Sequence, residues 1–215
     1  MTANSGNYKY WANFLSLVAA CLLSTTGYAA TKPDSITNFN RGANPSIFSI
    51  KSTSWRDPAF GNLGWTHSSQ WGAINAKKGK IITITIESQV AGLHPGCSVW
   101  VRDALDTAPN EYVQDHFYPQ RDGVYKIGAT DESTGAELGN IIMPIVAYGY
   151  DQDSNTKKII NLNGIRDGIP GKLVLRFKAP ETSLYQFVVG GFNPDAGVNS
   201  TVKHNVEVNV TVTGP

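Results

Sequence analysis

The chain predicts an all-β fold, an antiparallel β-sandwich with little helix, and three observations carry that expectation. Apolar residues recur at every second position in several runs, turn-forming residues separate those runs, and helical spacing is scarce after residue 30. The charged fraction of 16% is also lower than the ~25% of an average globular chain. That favours a β-rich exported domain over a charged cytosolic one.

The elements follow in order. Ile82, Ile84 and Ile86 alternate with Thr83, Thr85 and Glu87, which gives a half-buried strand with one wet face. Residues 98–102 and 141–150 read as further strands, and Pro144 confines the second to an edge or a bulge because it has no N–H to donate. Leu173, Leu175 and Phe177 alternate with Val174, Arg176 and Lys178, and residues 184–189 add another strand. Val206, Val208, Val210 and Val212 are expected on the core face of the last strand, with Glu207 and Asn209 on the wet face. Lys78-Gly79-Lys80, Gly190-Gly191 and the run Asn193-Pro194-Asp195-Ala196-Gly197 supply turns. The polar, Gly-rich stretch 153–171 predicts one short helix around 161–166.

The chain has 215 residues, enough for one domain with a real core, and neither a composition shift nor an internal repeat marks a second. Residues 1–29 read as a signal peptide: Lys9 precedes an apolar run from Trp11 to Leu23, and Gly27-Tyr28-Ala29 sets small residues before a cut. Val18-Ala19-Ala20-Cys21 is the competing lipoprotein reading, with an acylated Cys21. Either route exports the chain to the cell surface, associated with the outer membrane, or to the medium. No other stretch is apolar enough for an integral membrane span. Residues 30–45 are expected as an extended N-terminal arm and 46–215 as the folded domain. Export removes Lys9 and Cys21, leaving seventeen basic residues against seventeen acidic ones and Cys97 alone. Without a basic patch, nucleic acid is excluded as a partner.

Four histidines remain, and two invite a metal reading. In Gly64-Trp65-Thr66-His67, an extended backbone would send Trp65 and His67 from one face. His116 follows 49 residues later, about right for a neighbouring strand of one β-domain; Gln114 and Tyr118 would share its face, and Asp115 would point away. Neutral imidazole suits copper(I), whereas intact indole is a poor ligand because its nitrogen lone pair belongs to the ring.

This Trp-x-His followed by a single distant histidine resembles the MopE/CorA family of copper-repressible surface proteins of methanotrophic bacteria. The segments Gly64–Gly72, Gly92–Gly96 and Tyr185–Gly191 extend the resemblance over nearly all of the exported chain. The resemblance implies one copper ion, as Cu(I), held by His67, His116 and the kynurenine formed by oxidation of Trp65, whose aryl amine can bind metal. It implies a binder for copper acquisition or handling at the cell surface and not an enzyme.

Other residues support weaker readings. His94, three before Cys97, could pair with it, yet no second Cys-rich cluster completes a zinc site. Asp151, Asp153 and Asn155 alternate oxygen ligands as calcium likes, without the glycine and glutamate of an EF-hand loop. His204 is expected in solvent. Asp115-His116 makes a poor hydrolase dyad, with no Gly-x-Ser-x-Gly elbow beside it. Trp55, Trp71, Trp100, Tyr185 and Phe187 fit core packing better than a sugar-binding face. The rival overall reading is a structural or carbohydrate-binding extracellular β-sandwich without metal.

Overall fold

A computed structural model describes residues 29–58, 67–114, 122–154 and 163–214. Among them strands dominate and helix is all but absent. The strands are β1 (Ala30–Thr31), β2 (Ile36–Asn38), β3 (Ser46–Lys51), β4 (Gln70–Ala76), β5 (Ile81–Ser88), β6 (Pro95–Val101) and β7 (Val113–Gln114). They continue with β8 (Gly123–Thr130), β9 (Glu137–Asp151), β10 (Gly164–Ile165), β11 (Lys172–Lys178), β12 (Ser183–Gly191) and β13 (Lys203–Thr213). One antiparallel sheet runs β11-β5-β13-β3. A larger mixed sheet runs β10-β9-β6-β12-β4-β2 with β8 added on β9, and β1 pairs β7 in a separate ribbon.

Period-two sequences pair in a register that stacks their apolar positions. Ile84 lies opposite Leu175 on one side and Val210 on the other, and Ile86 lies opposite Leu173 and Val208. These side chains face Ile74, Cys97, Val99, Val101, Tyr185, Phe187 and Val189 of the larger sheet across one apolar cluster. Burying each aliphatic chain contributes roughly 1.5–3 kcal/mol relative to exposure, so this stack sets the pairing of the two layers. Gly72 of β4 belongs to the same logic, since a Cβ there would collide with the Phe187 ring.

The larger sheet is covered on its other face as well. Trp55, Trp71, Trp100, Tyr150, Val188, Phe192, Met143, Val124, Ala30 and Val113 form a second cluster there. β6 is therefore buried along its whole length, as a strand covered on both faces must be. Trp71 stacks on Trp100 with centroids 5.2 Å apart, and Phe192 meets Trp55 edge-on at 5.3 Å. Trp55 lies flat against Gly96, where a Cβ would strike the indole. The five aromatics named as a conceivable sugar platform, Trp55, Trp71, Trp100, Tyr185 and Phe187, are all buried.

Pro144 sits where β9 leaves β8, opposite Gly123, and begins to pair with β6, beside a register shift between Val99 and Trp100. A residue that cannot donate is tolerated at such a handover. Two expectations are corrected. Val212 is 38% exposed while Val206, Val208 and Val210 are buried, because it falls at the end of the strand beyond the opposing layer. The helix expected around 161–166 is contradicted at Gly164–Ile165, which forms β10 parallel to Tyr150 and Asp151; residues 161–162 lie outside the described residues. Glycine is a weak helix former, and the strand edge of β9 offers its backbone partners.

Candidate metal centre

His67 stands in a turn three residues before β4, exposed at a polar cavity of about 140 Å³. Residues 31–35 line that cavity together with Ser69, Gln70, Trp71 and Lys203. The premise that His67 lies on an extended strand is therefore corrected, for the chain turns at His67 and Ser68 before β4 begins. Trp65 and His116 lie outside the described residues.

The segment carrying His67 is tied down from one side. Ser68 O accepts from Lys51 N at 3.3 Å, Ser69 Oγ donates to Ser54 O at 2.7 Å, and Gln70 Oε1 accepts from Ser49 N. Three successive residues thus anchor the turn to β3 and the loop behind it. Such anchoring fixes the position of an imidazole on a turn.

The stem of His116 is β7, two residues upstream. Among the described residues its strand partner is β1, with Ala30 opposite Gln114 and Thr31 opposite Val113. The loop before β7 is organised by Arg102, a residue the sequence reading did not single out. Its guanidinium donates to Gln186 Oε1 at 2.7 Å, Asp106 Oδ2 at 2.8 Å, Asn110 O at 3.2 Å and Tyr112 O. Burial alone lowers the affinity of Arg102 for its proton, and Asp106 opposes that effect. Only the position just after a buried strand hinted at this role, since an arginine there must find partners.

His94 is not a partner of Cys97 in a metal pair. It is 1% exposed, with Nδ1 2.8 Å from Asp151 Oδ2 and Nε2 3.5 Å from Asp195 Oδ2. Burial works against its charge, yet the Asp151 hydrogen bond and the charges of Asp151 and Asp195 raise its pKa overall. Cys97 faces the core, where burial pushes its thiol up and keeps it protonated. Asp151 also accepts from Gly171 N at 2.7 Å and Asp153 N at 2.8 Å, and Asp153 Oδ2 accepts from Asp167 N and Gly168 N. The carboxylates proposed for calcium thus brace neighbouring loops. His204 is half-buried in β13, with Nε2 2.6 Å from Asn199 O. No group of three His, Cys, Asp or Glu side chains among the described residues converges as a metal site.

Residues 28–199 match the family described as copper(I)-binding protein CorA-like. Among solved structures, the chain is 34% identical to CorA, described as a surface-associated copper-binding protein important in copper acquisition in Methylomicrobium album BG8. That match covers 85% of this chain and all of CorA, with a TM-score of 0.73. A second similar fold is MopE, a secreted protein of Methylococcus capsulatus in which an oxidised tryptophan facilitates copper binding. It is 19% identical over 88% of this chain and 93% of MopE, with a TM-score of 0.55. No curated protein sequence matches the chain.

Proposed function

The chain belongs to the family of copper(I)-binding CorA-like proteins, and from that membership we propose that it is an exported protein that binds one copper ion for copper acquisition at the cell surface. His67 and His116 supply two imidazole nitrogens, and Trp65, oxidised to kynurenine, supplies an aryl amine as the third ligand. The observation that carries the reading is the match over residues 28–199, which spans all three residues. His67, exposed and lining a small polar cavity, supports it, because an exposed imidazole can be reached by a metal ion from solvent. Soft, low-coordinate copper(I) suits a site of two imidazoles and an amine.

The protein is a carrier and not a catalyst in this reading. Residues 1–29 are removed on export, and N-terminal sequencing of material from the native host should begin near residue 30. Among the described residues no helix is long and apolar enough to cross a membrane; the proposal takes association with the outer membrane to be peripheral.

Copper titration tests the site. His67→Ala and His116→Ala should each lose most of the bound copper after dialysis, and His204→Ala should lose little. Intact mass of native protein should show the gain expected for conversion of Trp65 to kynurenine, mapped to its peptide. Copper retained in full by both histidine variants would overturn the ligand assignment.

A further inference from the structure

The supports of His67 and His116 lie on separate stretches of chain, and one short segment touches both. Thr31 to Ser35 wall the cavity into which His67 opens. Immediately after them, β2 runs parallel to β4, with Ile36 opposite Trp71 and Phe39 N donating to Ala73 O at 2.9 Å. Immediately before them, Ala30 lies opposite Gln114, two residues short of His116 in the chain. We propose that residues 30–38 are the positioning element of the copper site, a strap that holds the stem of one histidine against the stem of the other. The proposal rests on the reading of His67 and His116 as ligands.

The strap is itself held at its far end. Ala30 is 1% exposed, packed in the second apolar cluster with Val113. It bridges Asp131 on the side away from β7, and its carbonyl accepts from Glu132 N at 3.2 Å. Asp131 accepts from Ser133 N and Oγ at 2.9 and 2.6 Å, and from Thr134 N at 2.8 Å. The Tyr112 hydroxyl, one residue before β7, lies near enough to the same carboxylate to favour its charged form. With Ser133 first and Tyr112 next, these groups hold the Asp131 carboxyl well below the usual carboxylate range. β1 is thus gripped between β7 and an ordered turn.

The physical consequence concerns preorganisation. Two imidazoles on independent stems must give up conformational freedom when a metal joins them, and that cost appears as weaker binding. A strap that orders both stems beforehand removes much of the cost without touching the metal. Outer supports of metal ligands typically contribute about 10- to 100-fold in affinity.

The test compares Cu(I) affinity, measured by competition with a chelating indicator, in three variants. Deletion of residues 30–33 from the exported chain removes β1 and leaves β2. Ala30→Asp buries a carboxylate beside Asp131 and should expel β1, while Ala30→Ser keeps it. The deletion and Ala30→Asp should weaken Cu(I) binding about tenfold or more, speed amide exchange at residues 113–114, and leave the far-ultraviolet β signal unchanged. Ala30→Ser should bind as the parent does. If the deletion fails to fold, Ala30→Asp decides alone through copper bound per folded molecule. Parent-like affinity in a folded variant that has lost protection at residues 113–114, or parent-like protection in the deletion, overturns the strap. Failure of His67→Ala and His116→Ala to lose copper would instead overturn the ligand reading on which it rests.

Discussion

The two apolar clusters flanking the larger sheet are assembled by different rules. The inner one lies between the sheets and draws on β5, β11 and β13, whose apolar residues alternate and meet in register. The outer one collects Trp55 and Phe192, just outside the strands, with Trp71, Trp100 and Tyr150 within them and Ala30 and Val113 from the β1–β7 ribbon. Its members come from distant parts of the chain and pack as aromatics at mixed angles, stacked, tilted and edge-on, instead of as a repeating aliphatic ladder. The difference bears on where a site can be carried. A period-two stack admits one pairing and tolerates little variation, while an aromatic patch capped by loops can carry turns. The cavity beside His67 and the stem of His116 both adjoin this outer side, through Trp71 and Val113.

The sharpest way to break the inner layer is Ile84→Ala. Ile84 is fully buried between Leu175 and Val210, so the cavity should cost about 3–4 kcal/mol of unfolding free energy in urea titration. Copper stoichiometry at saturating metal should stay the same in the folded fraction, which separates stability from the site.

On the outer side the largest effect should come from Arg102→Met. It leaves the carboxylate of Asp106, 4% exposed, without its cation, and cuts the ties to Asn110 and Tyr112. Breaking one member of such a pair costs about 3 kcal/mol. Thermal unfolding checks the loss, and amide exchange through residues 103–112 should accelerate first. Uniform loosening of the whole chain would contradict the claim that Arg102 organises this loop.

A smaller effect separates His94 from the rest. Its pKa is raised in the folded protein through Asp151 and Asp195, against the opposing effect of burial. Its charge therefore stabilises fully below the ordinary histidine value near 6.5, and the contribution fades as pH rises through the folded value. Unfolding free energy followed from pH 6 upward should fall over that window. Asp195→Asn, at a partly exposed carboxylate, should shrink the fall by under about 1 kcal/mol; an unchanged pH profile in that variant would remove Asp195 from the account. The smallest effect is expected at Val212→Thr, within about 0.5 kcal/mol, because that position is at the exposed end of β13.

The sequence by itself determined the inner layer. Alternating Ile82–Ile86, Leu173–Phe177 and Val206–Val210 demand strands with one buried face, and period two leaves no other way to hide those residues. It also supplied the family, through Trp65, His67, His116 and the glycine-rich segments around them. Tertiary structure alone decided what lies outside that layer. No local pattern announces that Asp151 and Asp195 close on His94, that Arg102 gathers a ten-residue loop, or that Gly164–Ile165 joins β9 as a strand. The His94 contacts span long sequence separation, and Arg102 gathers its own loop from a position that its bond to Gln186 of β12 fixes, so each depends on which surfaces the packed sheets bring together. For the same reason residues 30–38, polar and unremarkable when read alone, acquire their place beside both β4 and β7 only once the sheets have formed.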